Sequence, residues 1–543
     1  MNYREYTKRV KVAKKLCCRN SKIVSKDNVI QLLETVIRSG DRVCLEGDNQ
    51  KQADFLARKL LQVNPKKINN LHLVQSSIVL SEHIGLIKKG IVSKIDFAYS
   101  GPQAKAIAEL IKSKNVTLGA IHTYIELFSR YFLDLTPSVS LVVADASDKE
   151  GNLYLGYNSE DTPTIVAATK SKSGIVIAQV SKLKKVLPRV DISKDFVDFI
   201  VVTDEPYYIQ PLFTRDPAKI TEQQILMAAM VIKGIYLPYK VVSLNHGIGF
   251  ATAAIELILP TYGEKLGIKG KYVTHWVLNP HPTLIPAIEN GFVKHIYCFG
   301  SEPGMEEYIK HRSDVFSTGP DRVLMSNRLY AHLAGLYGID LFIGSTLQMD
   351  QFGNSSTVTF DRIPGFGGAP NLGSTPPGRR HITESFSLCK REDNLLSKFN
   401  LGSKLVVQIT PTLSPKGTPV FVEELDAVKF YKQKILPYIP VMIYWDQITH
   451  IVTEKGIAYL HKCKDIKTRM LAISAVAGDT PVGRKITRLQ INKLRMGKIV
   501  AYPEDLGIDI KKISRNLLSA KSFDDLIKWS YGLYYVPKTI SEG

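Results

Sequence analysis

Two tandem α/β domains built on mainly parallel sheets are predicted by three features of the chain. The strand candidates are short, continuous apolar runs, such as Leu141-Val142-Val143-Ala144 and Phe199-Ile200-Val201-Val202, separated by helical patterns. That alternation is the pattern of parallel strands covered on both faces. Each half also opens with a strand pattern that runs into a glycine-containing turn and then a helical pattern, from Val43 through Gly47 and from Val242 through Gly249. Finally, Ile87–Ser100 recurs as Ile288–Ser301, an offset of 288 − 87 = 201.

The recurrence extends further and organises the chain as an internal duplication. Asp148, Gly151 and Asn152 form an Asp-x-x-Gly-Asn turn, and Asp350, Gly353 and Asn354 form another, offset by 350 − 148 = 202. Later the run from Gly174 parallels the run from Lys404, and pairing Gln179 with Gln408 gives 408 − 179 = 229, so residues are inserted in the second half. Both halves then carry a run ending near Thr203 or Thr453. Thr221 and Gln224 have the spacing of a capping box just before the apolar run Ile225–Ile232. The boundary is therefore placed near residue 220. It gives a first domain, 1–220, with a basic N-terminal helix, and a second, 221–543, that carries an inserted glycine-rich loop.

Size and composition bound what such a protein can be. At 543 residues the chain is too long for one core, and 44% hydrophobic with 22% charged residues excludes a disordered or fibrous class. Ile225–Ile232 is cut by Lys233 and falls short of the roughly 20 residues a bilayer span needs, so it reads as a buried helix and no membrane partner is expected. The N-terminal segment, with Arg4, Lys8, Arg9, Lys11, Lys14 and Lys15, lacks the apolar stretch of a secretory signal. It reads as a solvated amphipathic helix, with docking of a partner as the other reading. Six cysteines lack metal spacing, and the adjacent pair Cys17 and Cys18 is too close for an ordinary disulfide; a cytoplasmic location and no metal are expected. The net charge of +20 is spread along the chain and is not clustered among aromatics, which argues against nucleic acid. It leaves open a phosphate-bearing ligand or acidic protein partner, or a lysine-rich surface.

Two segments have the composition of a site. Pro364–Asn371 holds Gly365, Gly367 and Gly368 and is followed by Gly378-Arg379-Arg380-His381. Closely spaced glycines let backbone approach a ligand, and successive free N–H groups can converge on one oxyanion. Asn245-His246-Gly247-Ile248-Gly249 stands at a strand-to-helix turn, where amides and a helix start favour anions. Neither GxxxxGK[ST] nor GxGxxG is present. Taken alone, the first segment reads as a surface loop and His246 as a hydrogen-bonded structural histidine, not a catalyst.

In company these segments resemble a known family. Gly344-Ser345-Thr346-Leu347-Gln348-Met349-Asp350-Gln351-Phe352-Gly353-Asn354, followed by Gly365 to Asn371, is similar to the catalytic half of class I CoA-transferases, and Ile451-Val452-Thr453-Glu454-Lys455-Gly456 extends the likeness. One position departs from it. Those enzymes carry Ser-Glu-Asn-Gly with a nucleophilic glutamate, and the matching place here reads Met325-Ser326-Asn327-Arg328. Asparagine cannot form the acyl anhydride and glutamyl thioester of ping-pong transfer. Glu289 offers a carboxylate, but its repeat partner is Lys88 and it lies upstream, so it reads as a helix-end residue.

A member of this fold without the glutamate resembles the carrier-protein transferases of citrate lyase and malonate decarboxylase. The long glycine loop, the stretch from Asn245 to Gly270 and the stretch from Gly40 to Leu60 resemble the malonate enzyme's subunit. The resemblance implies a CoA-transferase fold and the reaction acetyl-carrier plus malonate giving malonyl-carrier plus acetate. It implies no covalently bound cofactor. The implied partners are decarboxylase subunits and an acyl carrier protein subunit that bears a phosphoribosyl-dephospho-CoA prosthetic group. Gly367 and Gly368 amides with the Asn327 side chain would stabilise oxyanions; Arg328, Arg379, Arg380 and His381 would hold malonate. Asn245, His246, Gly247, Gly249 and Gln348 would cradle the carrier's pantetheine or pyrophosphate, although Gln348, Asp350 and Asn354 read equally as turn scaffolding. A citrate lyase-type transferase and a free class I CoA-transferase are the alternatives.

Overall fold

The continuous apolar runs become strands of two large sheets, Leu141–Ala144 inside the first and Phe199–Val202 at its end. The computed structural model describes residues 1–18, 21–47, 51–324, 338–374, 384–389 and 404–541. Two compact units result, one of Met1–Leu212, Gly319–His332 and Phe360–Gly368, the other of Phe213–Thr318, Leu333–Thr359 and Ala369–Gly543. The sequence leads one to expect a single boundary near 220 with all later residues in the second domain; these units divide the chain at 212 and also place residues 319–324 and 360–368 with the first. Phe360–Gly368 is tied there by Ser100 N–H, which donates to Pro364 O at 2.8 Å, and by Ile363 N–H, which donates to Ala104 O at 2.9 Å.

In the first unit, β1 (Arg42–Leu45), β2 (Leu71–Ser77), β3 (Val92–Tyr99), β4 (Thr117–Ile121), β5 (Val139–Ser147), β6 (Ile175–Leu183) and β7 (Phe199–Val202) are parallel, in the order β4-β3-β2-β1-β5-β6-β7. Val139 to Ala144 is buried without alternation, as expected of a strand covered on both faces. Helix α1 (Tyr3–Ala13) is capped by Asn2, exposes Arg4, Lys8 and Lys11, and buries Arg9 between Glu5 and Asp41. Helix α2 (Tyr124–Leu133) starts from a capping box of Thr123 and Glu126.

In the second unit, β8 (Ser243–His246), β9 (His275–Val277), β10 (His295–Tyr297), β11 (Leu341–Gly344), β12 (Leu405–Ile409) and β13 (His450–Val452) are parallel, in the order β10-β9-β8-β11-β12-β13. Antiparallel β14 (Ile457–Tyr459) and β15 (Val500–Ala501) extend its edge. Position by position this order matches β3-β2-β1-β5-β6-β7 of the first unit. In each sheet the chain winds outward from one central strand and then returns to its other side, which leaves a crevice at the carboxyl ends of the two diverging strands. The predicted capping box opens helix α3 (Glu222–Val231), with Gln224 N–H on Thr221 Oγ1 at 3.3 Å and Thr221 N–H on Gln224 Oε1 at 2.9 Å. Helix α4 (Phe250–Ile258) follows β8, and α5 (Asp426–Lys432) follows β12.

The two Asp-x-x-Gly-Asn turns have the same geometry. Asp148 Oδ1 accepts from the N–H groups of Gly151 and Asn152 at 2.8 Å each, and Asp350 Oδ1 from those of Phe352, Gly353 and Asn354 at 2.9 Å each. Gly151 and Gly353 both take φ of 101°, a conformation that side chains with Cβ resist. These residues are turn scaffolding.

Candidate active site

The residues singled out in the sequence fall in both units. In the first, the glycine loop lies against the carboxyl end of β3. Gly365 is buried at φ 83°, and a Cβ there would stand 2.2 Å from Ala98 O. The same carbonyl accepts from Phe366 N–H at 2.8 Å and Gly367 N–H at 2.9 Å. Gly367 O in turn accepts from Tyr124 N–H, the first residue of α2, at 3.3 Å. The Gly367 amide, expected to be an oxyanion donor, is thus committed to Ala98; its role is to fold the loop. Gly368 is half-buried, and its amide meets no acceptor among the described residues.

A triad of buried Asp96 and His122 with half-buried His72 holds the strand and turn beneath this loop. Asp96 of β3 takes His72 Nε2 at 2.6 Å and His122 Nε2 at 2.7 Å, and His122 N–H donates to Phe97 O at 2.8 Å. Burial alone would raise the Asp96 carboxyl; the hydrogen bonds and charge of His122 and His72 outweigh it and hold the group at about 2. His122 suffers burial too, yet Asp96 and Glu126 carry it above its ordinary value. Because the folded Asp96 value lies below 3.8, its contribution is complete above that pH and is lost as the pH falls toward 2. The Asp96→Asn variant is expected to be roughly 2 kcal/mol less stable near neutrality and to unfold with a flatter acid dependence. Urea midpoints taken from about pH 6 down to about pH 2 check this, and an acid limb as steep as the wild type's would contradict it.

In the second unit, a cleft of about 530 Å³ opens at the carboxyl ends of β8, β11, β12 and β13. Gly249, Thr252, Ser345, Thr412 and Glu454 supply its polar wall, and Met227, Ile248, Phe250, Ile409 and Leu413 its apolar one. The floor is the turn from β8 into α4. Gly247 N–H donates to Ile343 O at 2.7 Å, and a Cβ on Gly247 would come within 3.2 Å of Gly344 Cα, so the two diverging strands approach through paired glycines. The Thr252 hydroxyl closes the turn, 2.7 Å from Gly247 O and 3.0 Å from Gly249 O. This leaves the first turn of α4 facing the cleft, where its N–H groups and dipole favour an anion. Glu454 accepts from Thr412 N–H at 3.1 Å and from its hydroxyl at 2.5 Å.

Of the predicted cradle, Gly249 lines the cleft and Gly247 shapes it, whereas three side chains point elsewhere. Asn245 donates to Val277 O at 2.5 Å, and His246 is buried with both ring nitrogens bonded, to Tyr236 and Glu256. Gln348 exchanges hydrogen bonds with Asp426 at the start of α5, 3.0 and 2.8 Å long. Each polar group finds its partner inside the protein, as buried polar atoms must. Glu289 ends its helix bonded to Tyr308 and Arg312. Asn327, Arg328, Arg379, Arg380 and His381 lie outside the described residues. Thr252, Ser345, Thr412 and Glu454 line the cleft without standing out in the sequence; Ser345 and Glu454 sit inside the CoA-transferase-like motifs, and strand-end position is the signal that marks them. Among the described residues no three His, Cys, Asp or Glu side chains could share a metal ion, and no helix is long and apolar enough to cross a membrane.

Known proteins agree with this architecture. An acyl-CoA transferase from Escherichia coli O157:H7 superposes with a TM-score of 0.54 at 14% identity, covering 81% of this chain and 88% of that one, which supports the CoA-transferase fold. A chain of a Pseudomonas malonate decarboxylase hetero-tetramer in complex with malonate superposes with a TM-score of 0.95 at 50% identity, covering 99% of this chain and 98% of that one. The acetyl-S-ACP:malonate ACP transferase of Malonomonas rubra is 54% identical over 520 residues, 95% of this chain and 94% of its own length. The family model described as malonate decarboxylase, alpha subunit, transporter matches residues 1–542, and the chain belongs to that family.

Proposed function

We propose that the chain exchanges acetyl for malonyl on the thiol of an acyl carrier protein, so that acetyl-S-carrier and malonate give malonyl-S-carrier and acetate. The observation that carries this reading is end-to-end kinship, at 54% identity, with a transferase named for that reaction. The missing glutamate at Asn327 favours a direct route. A malonate carboxylate oxygen attacks the acetyl thioester carbonyl, the C–S bond breaks, and the carrier thiolate departs with its electron pair. The thiolate then attacks the malonyl carbonyl of the resulting anhydride and expels acetate. Both nucleophiles are already anionic, so alignment and oxyanion stabilisation are what the protein supplies.

The Gly368 amide is the backbone donor assigned to the oxyanion, with Asn327 as a side-chain donor. Arg328, Arg379, Arg380 and His381 are assigned to malonate, because guanidinium forks pair bidentately with carboxylates. The cleft at α4 takes the carrier's arm, its apolar wall against the pantetheine chain and the helix start against a phosphate of the phosphoribosyl-dephospho-CoA group. Asn245, His246 and Gln348 are left out of that contact set for the reasons above. The decarboxylase subunits are the remaining proposed partners, and the cytoplasm the proposed location.

Exchange of labelled malonate into acetylated carrier tests the reaction: malonate-dependent release of acetate is expected, and release driven by citrate in its place would overturn the reading. Borohydride reduction after incubation with acetylated carrier tests the route. A reduced glutamyl residue on this chain would exclude direct attack.

A further inference from the structure

The turn that floors the cleft is held by Gly247 N–H on Ile343 O and by the Thr252 hydroxyl, bonds that reach α4 only at its first turn. Gly247 and Gly249 flank one residue between β8 and α4, and glycine adds the most backbone freedom of any residue. Most of α4 beyond its first turn is apolar and buried, Ala253, Ala254, Ile255, Leu257 and Ile258 among it; at its far end Ser519 donates to Leu257 O from its N–H at 2.9 Å and its hydroxyl at 2.7 Å. One residue of α4 is different. Glu256 is fully buried, on the same helix whose first turn faces the cleft.

Its carboxylate is satisfied by donors from three places. Oε1 accepts from Nδ1–H of His246, the last residue of β8, at 2.9 Å, and from Nδ1–H of His281, beyond β9, at 2.9 Å; Oε2 accepts from the Thr283 hydroxyl. The Tyr236 hydroxyl donates to His246 Nε2 at 2.5 Å, which fixes the tautomer with its proton on Nδ1. His281 is held flat against Phe213, ring centres 5.2 Å apart. The His246–Glu256 bond therefore ties the strand end before the glycine turn to the helix after it, and the His281 and Thr283 bonds tie both to the neighbouring crossover. A buried carboxylate is tolerated only with such donors in place, so one position of α4 satisfies it and displaced positions do not.

We infer that Glu256, through His246, is the positioning residue for the first turn of α4, and that this bracket sets how tightly the cleft holds the phosphate-bearing arm of the thioester substrate. The second clause rests on the function proposed above; the first does not. Glu256 touches no substrate, so its loss acts on binding and spares the chemistry.

The tests use the full chain. In Glu256→Ala, the KM for acetylated carrier is expected to rise at least about tenfold, with kcat and the KM for malonate within about threefold of wild type. In Glu256→Gln, whose amide oxygen still accepts from both imidazoles, the KM is expected to return to within about threefold. Tyr236→Phe removes one hydroxyl and no bulk, and is expected to show the same KM-only signature at smaller size should the alanine variant not fold. A folded variant in which KM is unchanged, or in which kcat and both KM values shift together, overturns the inference. Amide hydrogen exchange reads the bracket without substrate: exchange at residues 253–256, the first helix-bonded amides of α4, is expected to quicken about tenfold or more in Glu256→Ala and not at β9 or β10. Unchanged exchange there overturns the positioning role itself, whereas quickened exchange in a protein that shows no carrier turnover leaves that role standing and sinks only the proposed function.

Discussion

Gly365→Ala is expected to cut acyl exchange about a hundredfold or more, on the scale of losing an oxyanion donor. Two costs act at this position. A residue with Cβ at φ 83° is strained by roughly 1–2 kcal/mol, and the Cβ itself would stand 2.2 Å from Ala98 O, well inside contact distance. Strain alone can be absorbed; the collision cannot, because Ala98 belongs to β3, an inner strand paired on both sides. The loop must lift, and lifting it breaks both amide bonds to Ala98 O and moves the Gly368 N–H that those bonds aim. Gly90→Ala separates the two costs, since Gly90 has φ 72° with nothing within 4 Å of its would-be Cβ. That control is expected to lose only the strain energy and keep its exchange rate. Comparing kcat for the two variants decides the matter, and a Gly365→Ala enzyme with more than half of wild-type activity would remove the loop from the catalytic account.

Local features were legible in the sequence where local physics decides them. The central strands read as unbroken apolar runs because burial on both faces removes alternation. The capping box at Thr221 and Gln224 and the two Asp-x-x-Gly-Asn turns close over three or four residues, so composition and spacing specify them. What was not legible depends on partners far away in the chain. Composition marks Gly367 as a residue suited to positive φ, but only the fold shows that its N–H meets Ala98, some 270 residues earlier. Asn245 and His246 stand at a strand end, where polar side chains suggest a ligand. Which way each points depends on the neighbouring β9 and on a glutamate ten residues further on, and both turn inward. By sequence Gln348 suits both scaffold and contact, and its pairing with Asp426 across 78 residues places it in the scaffold. The cleft wall of Ser345, Thr412 and Glu454 is assembled from the ends of three strands, a property of strand order and not of any one segment.

The same strand order poses a question about the first unit, where β1 and β5 diverge as β8 and β11 do in the second. A charged pair occupies that point. Lys51 Nζ lies 3.1 Å from Glu46 Oε1, with both side chains fully buried, and also reaches Asn158 O at 2.8 Å and Thr162 Oγ1 at 2.5 Å. Glu46 Oε2 accepts from Val143 N–H of β5 at 2.7 Å, and the Thr162 hydroxyl donates to Oε1 at 2.5 Å. The pair thus stitches the end of β1 to β5 from both sides. Desolvating two charges offsets much of their attraction, so the pair as a whole adds little net stability, but removing one partner strands the other in the interior. Lys51→Met is therefore expected to destabilise the protein by about 3–5 kcal/mol, read as a shift of the first transition in urea. The double variant Glu46→Gln with Lys51→Met is expected to recover most of that loss, since the amide can still accept from Val143 N–H and no ion is left unpaired. If the single variant unfolds at the wild-type urea concentration, Lys51 is not the counter-ion described here; if the double variant is no more stable than the single, the loss comes from misplaced strands and not from a stranded charge.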